Sequence, residues 1–201
     1  MKKRLTFSLG CVTIVAIFIC SMFVVKNGSS ALPVSYVEGN LAYDVDDLRE
    51  AVGVADYVFV GTVMEAKETY HVMVAEEFGI PFTNFSVQVE ENIKGSLITE
   101  CPIEVTKEGG VSLDKSCIIV FEDDEMPNIG DTYIFRAFAQ SDGSLLISGP
   151  KSNILLEDYG VSSHMDVPTE GSLLAQYVDA YENEIDPHCR ESQISIYDTE
   201  E

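Results

Sequence analysis

Basic residues are scarce in this chain. Of its 201 residues, 12 are Lys or Arg and 34 are Asp or Glu, a formal net charge of −22. No basic stripe is available to neutralise phosphates, so nucleic acid is excluded as a partner. Motifs that carry chemistry are missing too. There is no HExxH pattern, no G-x-S-x-G elbow, no G-x-x-x-x-G-K-S/T loop and no G-x-G-x-x-G fingerprint. No CxxC pair occurs, which removes zinc-ribbon and thioredoxin readings. His71, His164 and His188 have no set of partners at metal-ligand spacing beyond the adjacent His188-Cys189. These absences point away from an enzyme and from any cofactor. What is present, 46% apolar residues with 9% aromatics, is enough to build the core of one domain.

Charge and apolar residues are unevenly placed. Lys2, Lys3 and Arg4 open the chain, and no charge follows from Leu5 to Val25. A run of that length can cross a bilayer, which takes about 20 apolar residues. The basic end stays inside, so the rest is exported. Residues 1–31 therefore read as a signal peptide cut near Ser29-Ser30-Ala31, or as an uncleaved membrane anchor through 5–25. The four basic residues Lys2, Lys3, Arg4 and Lys26 belong to this leader and no acidic one does. Beyond Ala31 the chain holds 8 basic against 34 acidic groups, or −26. The expected location is the outer face of a bacterial-type plasma membrane, anchored or secreted.

Cys11 and Cys20 lie in the leader. An exported domain permits disulfides, and Cys101 and Cys117 flank an expected hairpin, which makes them the natural pair. Three unpaired thiols are the alternative. Cys189 is left over, either free or joined to another chain.

Residues 32–43 read as a connector, 44–181 as a β-rich domain and 182–201 as an acidic, disordered tail. Asp47 and Glu50 are spaced as a capping box, with Val45, Leu48, Val52 and Ala55 on one helical face. Strands are expected at 57–67, 85–93, 103–106, 117–121, 132–140 and 144–148. Gly61 inside the first marks a bulge. Ser141-Asp142-Gly143 marks a hairpin turn. Leu173, Leu174, Tyr177, Val178 and Tyr181 recur at helical spacing, with Thr169 as a candidate cap. The fold class expected is mainly β: a five- to six-stranded antiparallel barrel of the OB type, with one short N-terminal and one C-terminal helix, preceded by the signal or transmembrane helix.

Particular segments carry a resemblance. Ala55-Asp56-Tyr57-Val58-Phe59-Val60-Gly61-Thr62-Val63 resembles the first strand of netrin-like domains, the OB-type barrels that include tissue inhibitors of metalloproteinases. Phe82 to Val89 through Ile93-Lys94-Gly95 is similar to the second strand. Gly130-Asp131-Thr132-Tyr133-Ile134-Phe135 and Asp142-Gly143-Ser144-Leu145 resemble a later strand and its hairpin. The likeness covers about residues 45–156. It implies an extracellular binding module. It does not imply protease inhibition, because no Cys stands near Ala31 or Leu32 where that family places its metal-binding terminus.

Two features are candidate sites. Glu122-Asp123-Asp124-Glu125, with Asp131 nearby, could offer oxygen ligands to Ca²⁺, or be a solvated acidic loop. Asp44-Val45-Asp46-Asp47 is a second such run, or a helix cap. The segment 68–81, with Tyr70, His71, Met73 and Phe78, reads either as a recognition loop or as the end of a long two-stranded arm. The function expected is a non-catalytic binding module for a protein or cell-envelope component. The alternatives are an inhibitor or accessory subunit of an extracellular hydrolase, and an assembly protein.

Overall fold

A computed structural model describes residues 32–157 and 171–199. The apolar run 5–25, Thr169 and His164 lie outside them. Among the described residues no helix is long and apolar enough to cross a membrane.

Strand β1 (Val34–Val37) comes first, followed by helix α1 (Leu48–Val54), β2 (Tyr57–Ala75), β3 (Phe78–Lys94) and β4 (Ile103–Glu108). Then come β5 (Gly110–Val111), β6 (Ile118–Phe121), β7 (Thr132–Ala139), β8 (Leu145–Ile147), β9 (Asn153–Leu155) and helix α2 (Leu173–Glu182). The fold is mainly β with two helices, as expected. The larger sheet has six strands in the order β2-β3-β4-β8-β7-β9, and β2 pairs with β7 as well. A smaller sheet runs β1-β6-β5. The pairing is not wholly antiparallel, since β4–β8 and β1–β6 are parallel.

The strand alternation explains why Tyr57-Val58-Phe59-Val60 is apolar throughout. Successive side chains leave a strand on opposite faces, and here both faces are covered. Tyr57 and Phe59 enter one core with Phe85, Val87, Tyr133 and Phe135. Val58 and Val60 enter another with Val52, Ile134, Tyr177 and Ala180, under the two helices. Phe59 and Phe135 stack with ring centroids 5.3 Å apart. Gly61 stands at a register shift between β2 and β3, as its sequence position predicts. A Cβ there would lie 2.5 Å from Val87 Cγ1, so the position excludes any side chain.

Asp47 caps α1, its side chain accepting from Arg49 N–H at 2.9 Å. The capping box is only half formed, because Glu50 accepts from Asp44 N–H and not from Asp47. Ser172 caps α2, accepting from Ala175 N–H at 3.2 Å.

Two expectations are corrected and one open alternative is decided. The connector 32–43 contains β1. Of the two readings of residues 68–81 the structure has the arm: β2 and β3 continue as a two-stranded ribbon that reverses at Glu76-Glu77. Residues 183–199 are not a loose tail but a strap bound along the domain. Ile185 N–H donates to Arg49 C=O, Ile196 N–H to Gly143 C=O, Ile98 N–H to Tyr197 C=O and Thr199 N–H to Ser96 C=O. Arg190 pairs with the buried Asp56 carboxylate at 2.8 Å, and Tyr57 Oη donates to Asp198 Oδ2 at 2.5 Å. These are main-chain hydrogen bonds and polar side-chain contacts, not burial of an apolar stripe, so the strap's hydrophilic composition concealed its order.

Candidate functional site

Strand β4 reads Ile103-Glu104-Val105-Thr106-Lys107-Glu108, and every second residue is buried. Lys107 occupies the inward phase with Ile103 and Val105, so its side chain is forced under the sheet surface and is 0% exposed. A buried ammonium needs an opposite charge and hydrogen-bond acceptors. Both come from the acidic turn after β6. Asp124 turns inward and pairs with Lys107, its side chain also 0% exposed. Lys107 Nζ donates to Ser152 Oγ at 2.6 Å, and Ser152 Oγ donates to Asp124 Oδ2 at 3.0 Å. Burial pushes the Lys107 ammonium pKa below the ordinary lysine value, and the Asp124 carboxylate opposes that fall. Nearby Arg136, also buried, adds to the lowering.

The turn itself is clamped on both sides. Glu122 N–H donates to Val37 C=O of β1 at 3.0 Å. Lys151 N–H donates to Asp123 C=O at 3.1 Å, and Asn153 Nδ2 donates to Glu125 C=O at 3.2 Å, tying the turn to β9. Asp123 takes a left-handed conformation, φ 54°, which Asp tolerates better than most residues. The result is a cleft of about 700 Å³ between Tyr36 of β1 and Asn153–Leu155 of β9, with Glu122–Glu125 between them. Asp124 and Asn153, which belong to it, each carry a buried oxygen, Asp124 Oδ1 and Asn153 Oδ1, with no hydrogen-bond partner among the described residues. Glu122, Asp123 and Glu125 are exposed and enter no ion pair among the described residues. Tyr36 is 59% exposed at the mouth.

The structure separates the calcium candidates. Glu122, Asp123 and Asp124 share the cleft, but Asp124 gives one oxygen to Lys107. Asp131 lies elsewhere, its backbone carbonyl bonded to Val63 N–H at the end of β7 and its carboxylate 3.4 Å from Asn128 Nδ2. Among the described residues no three His, Cys, Asp or Glu side chains converge on a point that could hold a metal. In the second acidic run Asp47 is a cap, and Asp46 pairs with Lys151 at 2.5 Å.

Tyr70, His71, Met73 and Phe78 are all on the arm. Tyr70 stacks on Phe82 at 5.7 Å. His71 Nε2 donates to Val111 C=O at 2.9 Å, which fixes it to β5. Tyr70, Met73 and Phe78 are each about half exposed. A smaller apolar groove of about 180 Å³ runs between Phe78–Pro81 and Ile119–Phe121.

Cys101, Cys117 and Cys189 are free thiols. Cys101 precedes β4 and Cys117 follows the turn beyond β5, so the six residues of β4 separate them. The expected Cys101–Cys117 bridge is therefore not formed.

Lys107 is the site residue that sequence reasoning missed. Its signal was available: it falls in the apolar phase of an otherwise regular alternation. No family model matches the chain, and no curated protein matches it.

Proposed function

We propose that this chain is a non-enzymatic, exported binding module whose acidic cleft takes a positively charged partner. The scaffold is an OB-type barrel of the netrin-like kind. What supports the barrel is the run of pairings β2–β3, β3–β4, β4–β8, β8–β7 and β7–β2, which returns to its starting strand. The leader's charge pattern supports export to the outer membrane face or beyond. The partner is a protein or another envelope component that presents ammonium or guanidinium groups.

One observation carries the reading. Asp124 Oδ1 and Asn153 Oδ1 are buried acceptors without a donor among the described residues, and both residues belong to a cleft rimmed by Glu122, Asp123 and Glu125. Buried acceptors are normally satisfied, and N–H donors carried by a cation complement both the acceptors and the rim. A divalent metal fits less well, because the carboxylates are spread along the turn and do not converge.

Calorimetric titration of the full chain with a lysine-rich peptide, at low and at raised salt, tests this. Binding should weaken as salt rises. The Glu122→Gln/Glu125→Gln double variant should bind about tenfold more weakly, since each lost charge contributes on the order of 0.5–1 kcal/mol at a solvated rim. Equal affinity in the variant would remove the cleft from consideration.

A further inference from the structure

The cleft lies beside an open sheet edge. Among the described residues strand β1 ends the smaller sheet, paired only with β6, and all four of its residues are exposed. Register fixes which backbone groups are free. Ile118 N–H donates to Pro33 C=O and Glu122 N–H donates to Val37 C=O. With Val34 opposite Ile118 and Tyr36 opposite Val120, the odd positions face β6. The N–H and C=O of Val34 and Tyr36 therefore point away from the sheet. Edge strands are usually blunted by charge, proline or a covering segment. Val34-Ser35-Tyr36-Val37 has no charge and no proline, and Val34 and Tyr36 are 47% and 59% exposed. On the other side of the cleft, β9 is likewise the end strand of the larger sheet.

We infer that the cationic partner is an extended basic peptide segment that adds to β1 as a strand. Its main chain pairs with the N–H and C=O groups of Val34 and Tyr36. One of its Lys or Arg side chains enters the cleft over Asp124 and Asn153, and others lie along Glu122, Asp123 and Glu125. Tyr36 and Leu155 offer apolar surface to the aliphatic stems of those side chains. Main-chain bonds supply affinity and alternate side chains supply specificity, as in other strand additions. Charge decides against a second copy of this chain as the occupant: beyond Ala31 the chain carries −26 and would bring like charge to the cleft.

This inference rests on the cationic-partner reading, and one experiment separates the two. The full chain is titrated with an alternating lysine–valine hexapeptide and with two versions N-methylated at every second amide, one in each phase. N-methylation removes main-chain donors and leaves the charge unchanged. The Val34→Pro variant provides the complementary test. It removes an N–H on the open edge, leaves the β6 pairing and the Tyr36 ring in place, and its fold is checked by circular dichroism. Strand addition predicts that the parent peptide binds, that at least one N-methylated version binds about tenfold more weakly or worse, and that Val34→Pro weakens the parent by a similar factor. Equal affinity of all three peptides overturns strand addition and leaves the cationic reading standing. No binding of any peptide overturns both. A dimer in peptide-free sedimentation that Val34→Pro converts to monomer assigns the edge to a second copy, which also overturns the inference.

Discussion

Replacing Tyr57 with Phe would show how firmly the C-terminal strap is fixed to the domain. The phenol donates to Asp198 Oδ2 at 2.5 Å and accepts from Ser195 N–H at 2.9 Å. Phe keeps the buried ring and deletes only the oxygen, so no large cavity forms. A hydrogen bond to a charged group contributes about 1.5–3 kcal/mol and a neutral one about 1 kcal/mol. Asp198 is half-buried, and water replaces part of what it loses. The expected net loss is about 2 kcal/mol, which in a domain of this size lowers Tm by about 4–8 °C. A pH signature accompanies it. Burial, and then the bond to Asp198, push the Tyr57 phenol up from 10.0 to about 12. The folded value exceeds the unfolded one, so this contribution is complete below about pH 10 and is lost as pH rises toward 12. Two units correspond to at most about 2.7 kcal/mol, less where water reaches Asp198. Urea unfolding across that range should show a steeper alkaline loss in the wild type than in Tyr57→Phe. Amide exchange at Ser195 and Thr199 should quicken in the variant. Unchanged Tm with unchanged exchange would refute the latch.

Asp124→Ala should destabilise by about 3–5 kcal/mol by leaving the Lys107 ammonium buried beside no carboxylate; adding Lys107→Met should restore much of the urea midpoint, and equal loss in single and double variants would clear the pair of blame. Gly110→Ala should lower Tm, because φ is 137° and a Cβ would stand 2.4 Å from Thr83 Oγ1 and 2.5 Å from Thr69 Oγ1. A loss of about 1–3 kcal/mol is expected, and a neutral melt would mean the arm moves aside freely. Hydrogen bonds from the Arg49 side chain and N–H hold the Asp47 carboxyl at about 2, below its ordinary 3.8. Its folded value is depressed, so its support of α1 is full above about pH 4 and is lost as pH falls toward 2. Asp47→Asn should flatten that part of an acid titration followed by helical circular dichroism.

Local signals in the sequence located the elements, and long-range ones were hidden. Period-two alternation placed β3 and β4, Asp142-Gly143 placed the β7–β8 turn, and Asp47 announced α1. Each is a property of a few consecutive residues. The arm was ambiguous because residues 72–78 are all exposed, so no alternation betrays a strand there. β1 escaped because four exposed residues beside a single partner strand leave no amphipathic trace. The strap escaped because its order depends on Tyr57, Asp56 and Gly143, all more than 50 residues away. The acidic turn was visible as a candidate, but its role was not. Only the fold brings Lys107 and Ser152 beneath Asp124, and that changes a loop of interchangeable carboxylates into one inward and three outward groups.

That division bears on how the cleft can recognise charge at all. A carboxylate accepts at two oxygens, each with room for more than one donor. Lys107 and Ser152 hold Asp124 through Oδ2, which fixes the rotamer and leaves Oδ1 buried beneath the cleft without a partner among the described residues. The internal cation therefore orients the site without exhausting it. The same pairing makes the base of the cleft nearly neutral, so the electrostatic attraction comes from Glu122, Asp123 and Glu125 at the rim. Rim charge governs encounter rate and salt dependence, whereas desolvated contacts at the base govern dissociation. Neutralising Glu122 and Glu125 should thus act mainly on the association rate, and a partner side chain one methylene too short to reach the base of the cleft should act mainly on the dissociation rate.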